Sequence, residues 1–365
     1  MTSRSVAKPV GSKLEQLHVG VIGVGRMGAC HARNLAGRIP GARLVALADP
    51  DAAARERLRA ELGVPFGYDD FRELVHRDDV DAVVIATPVE IREEIVRECV
   101  AAGKHIFSEK PVAADLATTR RIRRLLSGAG VKYQLGFMRR FDPGYAYAYE
   151  QIQGGRIGQP VLIRLTSRDA SGPPVSYVRT SGGLFVDSSV HDFDLARWLM
   201  GDEVASVFAL GGRFVYHDYA AAGDIDTGVV ALHFRRGGLG LHDNSRHSGY
   251  GYDIRTEILG TEGAIQVGYL ESRPVVVLQD GRVGHDTVAD FLERFRDAYL
   301  AEMQHFVDCL HRGEEPAVGV EDGERSLEIA LAALASLRTG QPQPVPVPGD
   351  PDTPERAGGD GQEVA

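Results

Sequence analysis

From His18 the chain alternates short apolar runs with amphipathic stretches. HVGVIGVG (His18 to Gly25) is apolar throughout and ends in glycines, the pattern of a strand buried on both faces. Arg26 to Ala36 carries helical periodicity. ARLVALADP (Ala42 to Pro50) repeats the strand pattern and stops at a proline, and Asp51 to Leu62 is a charged helix. DAVVIATP (Asp81 to Pro88) and the helix Val89 to Ala102 follow. Then come HIFSEKP (His105 to Pro111), the helix Asp115 to Leu126, and VKYQLGF (Val131 to Phe137). Strands alternating with helices at this spacing predict a doubly wound parallel sheet of Rossmann type over residues 18–138.

Beyond about Arg140 the texture changes. Longer β-branched and aromatic segments are separated by glycine pairs: Gln159 to Asp169, Asp226 to Arg236, Gly238 to His247 and Tyr252 to Gly260. They predict a largely antiparallel open sheet with tight turns at Arg236-Gly237-Gly238 and Thr261-Glu262-Gly263. Helices are expected at Ser188 to Met200, Val288 to Arg312 and Asp322 to Arg338. The fold class is therefore α/β followed by α+β, with 139–339 as a second domain for substrate and oligomerisation. Residues 1–17 and the Pro-, Gly- and acid-rich 340–365 are expected to be flexible or disordered tails.

Composition narrows the function. The 365 residues carry a net charge of −10, which repels nucleic acid and anionic membranes. No apolar run is long enough to span a bilayer, and the first residues lack a signal-peptide pattern. Cys30, Cys99 and Cys309 are scattered and odd in number, which argues against a disulfide framework and for a cytoplasmic setting.

Gly23-Val24-Gly25-Arg26-Met27-Gly28 fits G-x-G-x-x-G between a strand and a helix. The first glycine permits the turn, the second lets backbone approach a pyrophosphate, and the third lets helix and strand pack. Asp49, ending the second strand, stands where a carboxylate accepts from ribose hydroxyls. A carboxylate there repels a 2′-phosphate, so NAD is expected rather than NADP. Thr87 and Pro88, then Glu109 and Lys110, close later strands and complete the expected cofactor contacts.

Two clusters carry candidate chemistry. Lys110 ends a parallel strand, where ligands of open α/β sheets bind. Asp187 and His191 are four apart at a helix start, which would place them on one face with the carboxylate orienting the imidazole as a base. His191, Asp187 and Asp194 are also metal-ligand types. Hydride transfer to NAD needs no metal when a base is present, so none is expected.

The glycine loop, Glu109-Lys110-Pro111 and the Asp187/His191 pair resemble the Gfo/Idh/MocA oxidoreductase family, over nearly the whole chain apart from the tails. The segments Gly136 to Asp142, Val190 to Asp194, Gly251 to Ile254 and Phe295 to Tyr299 are similar to bacterial inositol 2-dehydrogenases. The resemblance implies Lys110, Asp187 and His191 as the catalytic set. Met138, Arg139, Asp194, Tyr250 and Tyr299 match positions that line or close the substrate pocket. Asp169 borders it where some relatives carry Asn. The implied reaction is NAD-dependent oxidation of a ring carbinol, myo-inositol to 2-keto-myo-inositol, by a homotetramer. The alternatives are a scyllo-inositol or sugar dehydrogenase, a keto-sugar reductase, an NAD-borrowing glycosidase, and a non-catalytic NAD(P)-binding regulator.

Overall fold

The computed structural model describes residues 16–272 and 275–347. Six short strands form the first sheet: β1 (Leu17–Ile22), β2 (Ala42–Ala48), β3 (Phe66–Tyr68), β4 (Ala82–Ile85), β5 (His105–Glu109) and β6 (Tyr133–Gly136). Their order is β3-β2-β1-β4-β5-β6, all parallel. The linking helices are α1 (Arg26–Leu35), α2 (Ala52–Leu62), α3 (Phe71–Val75), α4 (Arg92–Ala101) and α5 (Leu116–Leu126). Asp51 and Asp115 cap α2 and α5 by accepting from Ala54 N at 3.0 Å and Thr118 N at 2.8 Å. Strand order reverses on the two sides of β1, and ligands bind beyond the carboxyl ends of strands at such a switch point. Three-residue β3 and five-residue α3 escaped the sequence reading because neither shows a full period.

The second part begins with α6 (Pro143–Gln153), started by Asp142, whose carboxylate accepts from Gly144 N at 3.1 Å and Tyr145 N at 3.3 Å. Then come β7 (Pro160–Arg168), α7 (Val175–Val178), α8 (Val190–Met200), β8 (Val204–Gly212), β9 (Thr227–Phe234), β10 (Leu239–Ser245), β11 (Asp253–Gly260) and β12 (Ala264–Val267). A small hairpin, β13 (Val277–Gln279) and β14 (Arg282–Gly284), precedes α9 (Phe291–Arg294), α10 (Arg296–Arg312), α11 (Val320–Thr339) and β15 (Gln343–Pro344). The large sheet runs β12-β11-β7-β10-β9-β8-β15, with β7 and β10 the one parallel pair. Alternation sets its faces: in β9 every second residue is buried. Ile163, Leu165, Val207, Ala209, Val230, Leu232 and Ile258 point into the core, and α11 packs against both α8 and β8.

Three expectations change. The helix expected over 288–312 is broken: Asp290 caps α9 and a new helix starts at Arg296. The C-terminal tail starts later than 340, because β15 pairs with β8 and Val345 is buried, its N–H reaching Ala205 O at 2.9 Å. Residues from 348 onward and 1–15 lie outside the described residues. Finally, α10 serves the first sheet as well: Met303, Phe306 and Val307 are fully buried in one cluster with Val19, Val21, Leu44 and Phe107. Their i, i+3, i+4 spacing marks an apolar stripe, but nothing local says that it covers a sheet formed two hundred residues earlier. Among the described residues no helix is long and apolar enough to cross a membrane.

Candidate active site

The carboxyl ends of β1, β2, β4, β5 and β6 converge on one edge. Gly23 has φ +89, and a Cβ there would lie 2.6 Å from Ala86 O. A Cβ on Gly28 would lie 1.8 Å from Gly23 O, so these two glycines are demanded by the protein itself. Gly25 is different. Its φ is −63, it is exposed, and a Cβ would meet no protein atom within 4 Å. Neither strain nor packing explains glycine at 25; a ligand approaching the backbone does. Helix α1 has no side-chain cap and no acid in its first turn, which leaves its first N–H groups for an anion.

Asp49 holds the loop in place, accepting from Val24 N at 2.7 Å and from Asp51 N at 2.8 Å. A carboxylate has about four acceptor sites, so capacity for ribose hydroxyls remains. Arg55 is buried and already committed, donating to Asp49 O at 2.7 Å and pairing with Asp69 at 2.5 Å. That leaves no free guanidinium there for a 2′-phosphate. Arg26 is exposed and lies over the Phe291 ring, 5.3 Å from its centroid, while Met27 is half-buried. Thr87 is buried and Pro88 exposed. Arg92, unremarked in the sequence, donates to Thr87 O at 2.8 and 3.0 Å and to the carbonyls of Glu109 and Pro111, clamping the ends of β4 and β5 together.

Lys110 and Asp187 meet. The Lys110 ammonium donates to Asp187 O at 2.6 Å and to Asp187 Oδ1 at 3.3 Å. The same carboxylate accepts from Tyr177 OH at 2.9 Å and from Arg246 Nη1 at 3.2 Å. Burial works to raise the Asp187 carboxyl, but Lys110, Arg246 and Tyr177 hold it below its ordinary value. Asp187 stands in a π turn, Phe185–Ser189, rather than in regular helix; such turns frequently mark functional sites. Asn244 donates to Ser188 Oγ at 2.9 Å and Ser189 Oγ at 2.8 Å, and His242 bonds Ser189 Oγ at 2.9 Å, pinning the turn from β10.

The expected bond between Asp187 and His191 is not formed. Asp187 spends its oxygens on Lys110, Tyr177 and Arg246, while His191 packs edge-on against Phe137, ring centroids 5.6 Å apart, with Nδ1 buried and unpartnered. Burial, reinforced by the charges of Lys110 and Arg139, holds His191 neutral well below the usual imidazole range. Asp169, at the end of β7, accepts no hydrogen bond from a described side chain. Burial pushes its carboxyl up to about 6, against Arg246, Arg139 and Lys110 and with help from Asp187. Lys110, Arg139, Asp187 and Arg246, from four separate segments, thus act together on the charge of Asp169.

The other expected substrate residues divide. Met138 is buried at the end of β6. Arg139 faces the same charged group but is bound by protein: Nη1 to Asp192 Oδ1 at 2.7 Å and Nη2 to Ser167 Oγ at 3.2 Å. Asp194 is turned elsewhere: its two oxygens accept from Arg140 at 2.7 and 2.5 Å, and at 1% exposure it is closed to a substrate hydroxyl by burial. Tyr250 is 41% exposed and its hydroxyl joins Asp253 at 2.7 Å and Arg168 at 3.1 Å. Tyr299 is buried against His31, ring centroids 6.0 Å apart, behind β5. Tyr177 and Arg246 were not anticipated. The available signal was an arginine, Arg246, in an otherwise strand-like segment.

Comparison with known proteins covers both halves of the chain. The model for the NAD-binding Rossmann fold of the Gfo/Idh/MocA oxidoreductase family matches residues 17–137, and that for the family's C-terminal alpha/beta domain matches 149–347. The chain is 42% identical over 322 residues to a myo-inositol 2-dehydrogenase of Thermotoga maritima, covering 88% of this chain and 96% of the relative. It is 38% identical over 328 residues to a scyllo-inositol 2-dehydrogenase (NAD(+)) of Bacillus subtilis, covering 90% and 96%. Among solved structures, scyllo-inositol dehydrogenase from Lactobacillus casei with bound NAD(H) and scyllo-inositol aligns with TM-score 0.86 and 34% identity over 90% of this chain and 99% of that one. A glycine loop built for a diphosphate, a lysine–aspartate pair at the sheet edge and family matches over both halves lead to one conclusion: this chain belongs to the Gfo/Idh/MocA oxidoreductase family.

Proposed function

We propose that this protein is an NAD-dependent dehydrogenase of a cyclitol, oxidising one ring carbinol of myo-inositol to 2-keto-myo-inositol. The observation that carries the reading is the meeting of the Lys110 ammonium, the Asp187 carboxylate and a neutral, buried His191 at the carboxyl edge of the Rossmann sheet. Its substrate rests on the inositol dehydrogenases among the relatives. The Bacillus relative keeps scyllo-inositol as a second reading.

Residues 23–28 hold the diphosphate, Asp49 the ribose, and Thr87, Pro88 and Glu109 border the nicotinamide end. When bound, NAD supplies the hydride acceptor. Neutral His191 takes the hydroxyl proton, for which an unprotonated imidazole is required. Lys110 donates to the reacting oxygen and offsets its developing negative charge. Asp187, held by Tyr177 and Arg246, positions Lys110 rather than His191. Asp169 accepts from neighbouring hydroxyls, with Met138 and Arg139 shaping the wall. Asp194, Tyr250 and Tyr299 have no part in substrate contact in this reading.

Residues 18–138 act as the cofactor domain and 139–339 as the substrate and oligomerisation domain, with α10 shared. The outward face of the large sheet carries exposed Leu210, Val229, Leu239, Leu241 and Leu259, an apolar patch that a second copy would cover. This face supports self-association and would supply one interface of the homotetramer expected from the family resemblance; Leu241→Arg should reduce the mass measured by sedimentation. Three unpaired cysteines suit the cytoplasm, and oxidation suits a catabolic step.

Lys110→Ala tests the site. Turnover of myo-inositol should fall about 10²- to 10³-fold, the loss seen when one oxyanion donor is removed, with NAD affinity close to wild type. Full turnover in that variant removes Lys110 from the chemistry.

A further inference from the structure

Behind β5, Glu109 meets two buried groups, His31 and Glu302, that the reaction above does not use. His31 Nε2 and Glu109 Oε1 are 2.7 Å apart, and an oxygen of Glu302, from α10, lies within 4.8 Å of both. His31 and Glu302 are fully buried, and Glu109 is 6% exposed. Both carboxylate oxygens of Glu302 lack a hydrogen-bond partner. The neighbourhood has acceptors in excess. With the His31 proton on Nε2 the ring donates to Glu109 and Nδ1 is an unpartnered acceptor, whereas the other tautomer would bury an N–H with no acceptor. Gln134, whose amide nitrogen reaches Glu302 O at 2.8 Å, leaves Oε1 without a donor.

Two carboxylates this close and this dry do not both ionise. A neutralising charge must come from somewhere. Protonating His31 would bury a second N–H with no acceptor, at the cost of an unmade hydrogen bond. Arg92 and Lys110 are the nearby cations, and with His31 they favour the ionised form of Glu109, whereas burial and the Glu109 charge both act against ionising Glu302. The other titratable neighbours, Cys30 of α1 and Tyr299 of α10, are themselves held neutral by burial. A metal ion is disfavoured by distance: tetrahedral ligands about 2.1 Å from zinc stand about 3.4 Å apart, whereas His31 and Glu109 are at hydrogen-bond length.

We infer that Glu302 is an un-ionised carboxylic acid that donates its proton to the Glu109 carboxylate, and that it is a positioning residue for the end of β5 and therefore for Lys110. The chain of contacts is short. Glu109 Oε2 already accepts from Lys110 N at 3.2 Å, so a carboxylate fixed by His31 on one side and Glu302 on the other fixes the lysine backbone. Only the kinetic consequence rests on the role given above to Lys110; the protonation state does not.

The test is a pair of variants of the full chain and an infrared spectrum. Glu302→Gln keeps a donor of the same length, and kcat/KM should stay within about threefold of wild type. Glu302→Met removes the donor and should lower kcat about tenfold, the scale of one hydrogen bond to a charged group, with a smaller effect on KM. In wild-type protein at pH 8 the carbonyl stretch of a neutral carboxylic acid should be present, and it should be missing from both variants; either folded variant suffices for the assignment. Absence of that band from wild type, its persistence in the variants, or one tightly held metal ion per chain would overturn the inference. Loss of activity in Glu302→Gln equal to that of Glu302→Met would overturn the positioning role. A wild-type protein silent toward every polyol would leave the infrared result standing and count against the proposed reaction instead.

Discussion

Gly25→Ala separates a glycine kept for a ligand from glycines kept for the fold. The added methyl meets no protein atom within 4 Å, and φ −63 is comfortable for alanine. Alanine is a poorer N-cap than glycine, whereas its unfolded chain is less free; these effects oppose each other, and the net change in stability should stay within about 1 kcal/mol. The cofactor loses more. A methyl over the start of α1 keeps the diphosphate from one backbone N–H, and a hydrogen bond to a charged group contributes about 1.5–3 kcal/mol, which is roughly 10- to 150-fold in Kd. Gly28→Ala is the contrast, because its Cβ would lie 1.8 Å from Gly23 O. Overpacking of that kind costs about 1–3 kcal/mol or more of folding stability. Thermal melting without cofactor and calorimetric titration with NAD read the two effects apart. If Gly25→Ala binds NAD as wild type does, the space above Gly25 is not the diphosphate cradle.

Asp169 supplies a pH signature. Burial raises its carboxyl to about 6, so the folded state favours the neutral form; the stability it contributes is complete below about pH 4 and is lost as pH rises through about 6. Its ability to accept from hydroxyls runs the other way, so KM for inositol should fall as pH rises through about 6, and Asp169→Asn should flatten that limb; an unchanged profile would exclude Asp169 from the substrate. His191→Asn should lower kcat by about 10²- to 10⁴-fold without weakening NAD, measured by steady-state kinetics and calorimetry; a variant that turns over normally is not missing its base. Arg139 and Asp192 form an ion pair 3% and 0% exposed. Asp192→Ala strands the arginine and should cost about 3–5 kcal/mol in urea unfolding, and a loss below about 1 kcal/mol would mean that water reaches Arg139.

What the sequence made legible was whatever is local. Gly23, Gly28 and Asp49 are read from one loop and one strand end, and Lys110 from its place at the close of a strand. Long β7, β9, β10 and β11 announce themselves by alternation. The misses share a cause: each depends on a partner distant in sequence. Asp194 has the same helix and residue type that suit a substrate contact, yet Arg140 claims it, and no spacing rule foretells that. Asp187 and His191 are four residues apart, but Tyr177 from α7 and Arg246 from just past β10 take the carboxylate away from the imidazole. Glu302 lies in an amphipathic helix where an acid reads as solvent-facing, until α10 is seen to cover the first sheet. Arg92 is one charged residue in a helix start of several, and only the side-by-side pairing of β4 and β5 brings the carbonyls of Thr87, Glu109 and Pro111 within its reach.

The central claim is net transfer of hydride from a cyclitol to NAD. Purified protein mixed with NAD and, separately, NADP should be followed by absorbance of the reduced cofactor with myo-inositol, scyllo-inositol and glucose. The account predicts NADH formed in proportion to inositol consumed, with NADP much slower because the proposed site sets the Asp49 carboxylate against a 2′-phosphate and Arg55 is engaged by Asp49 and Asp69. NAD binding without reduction by any of the three polyols would contradict it.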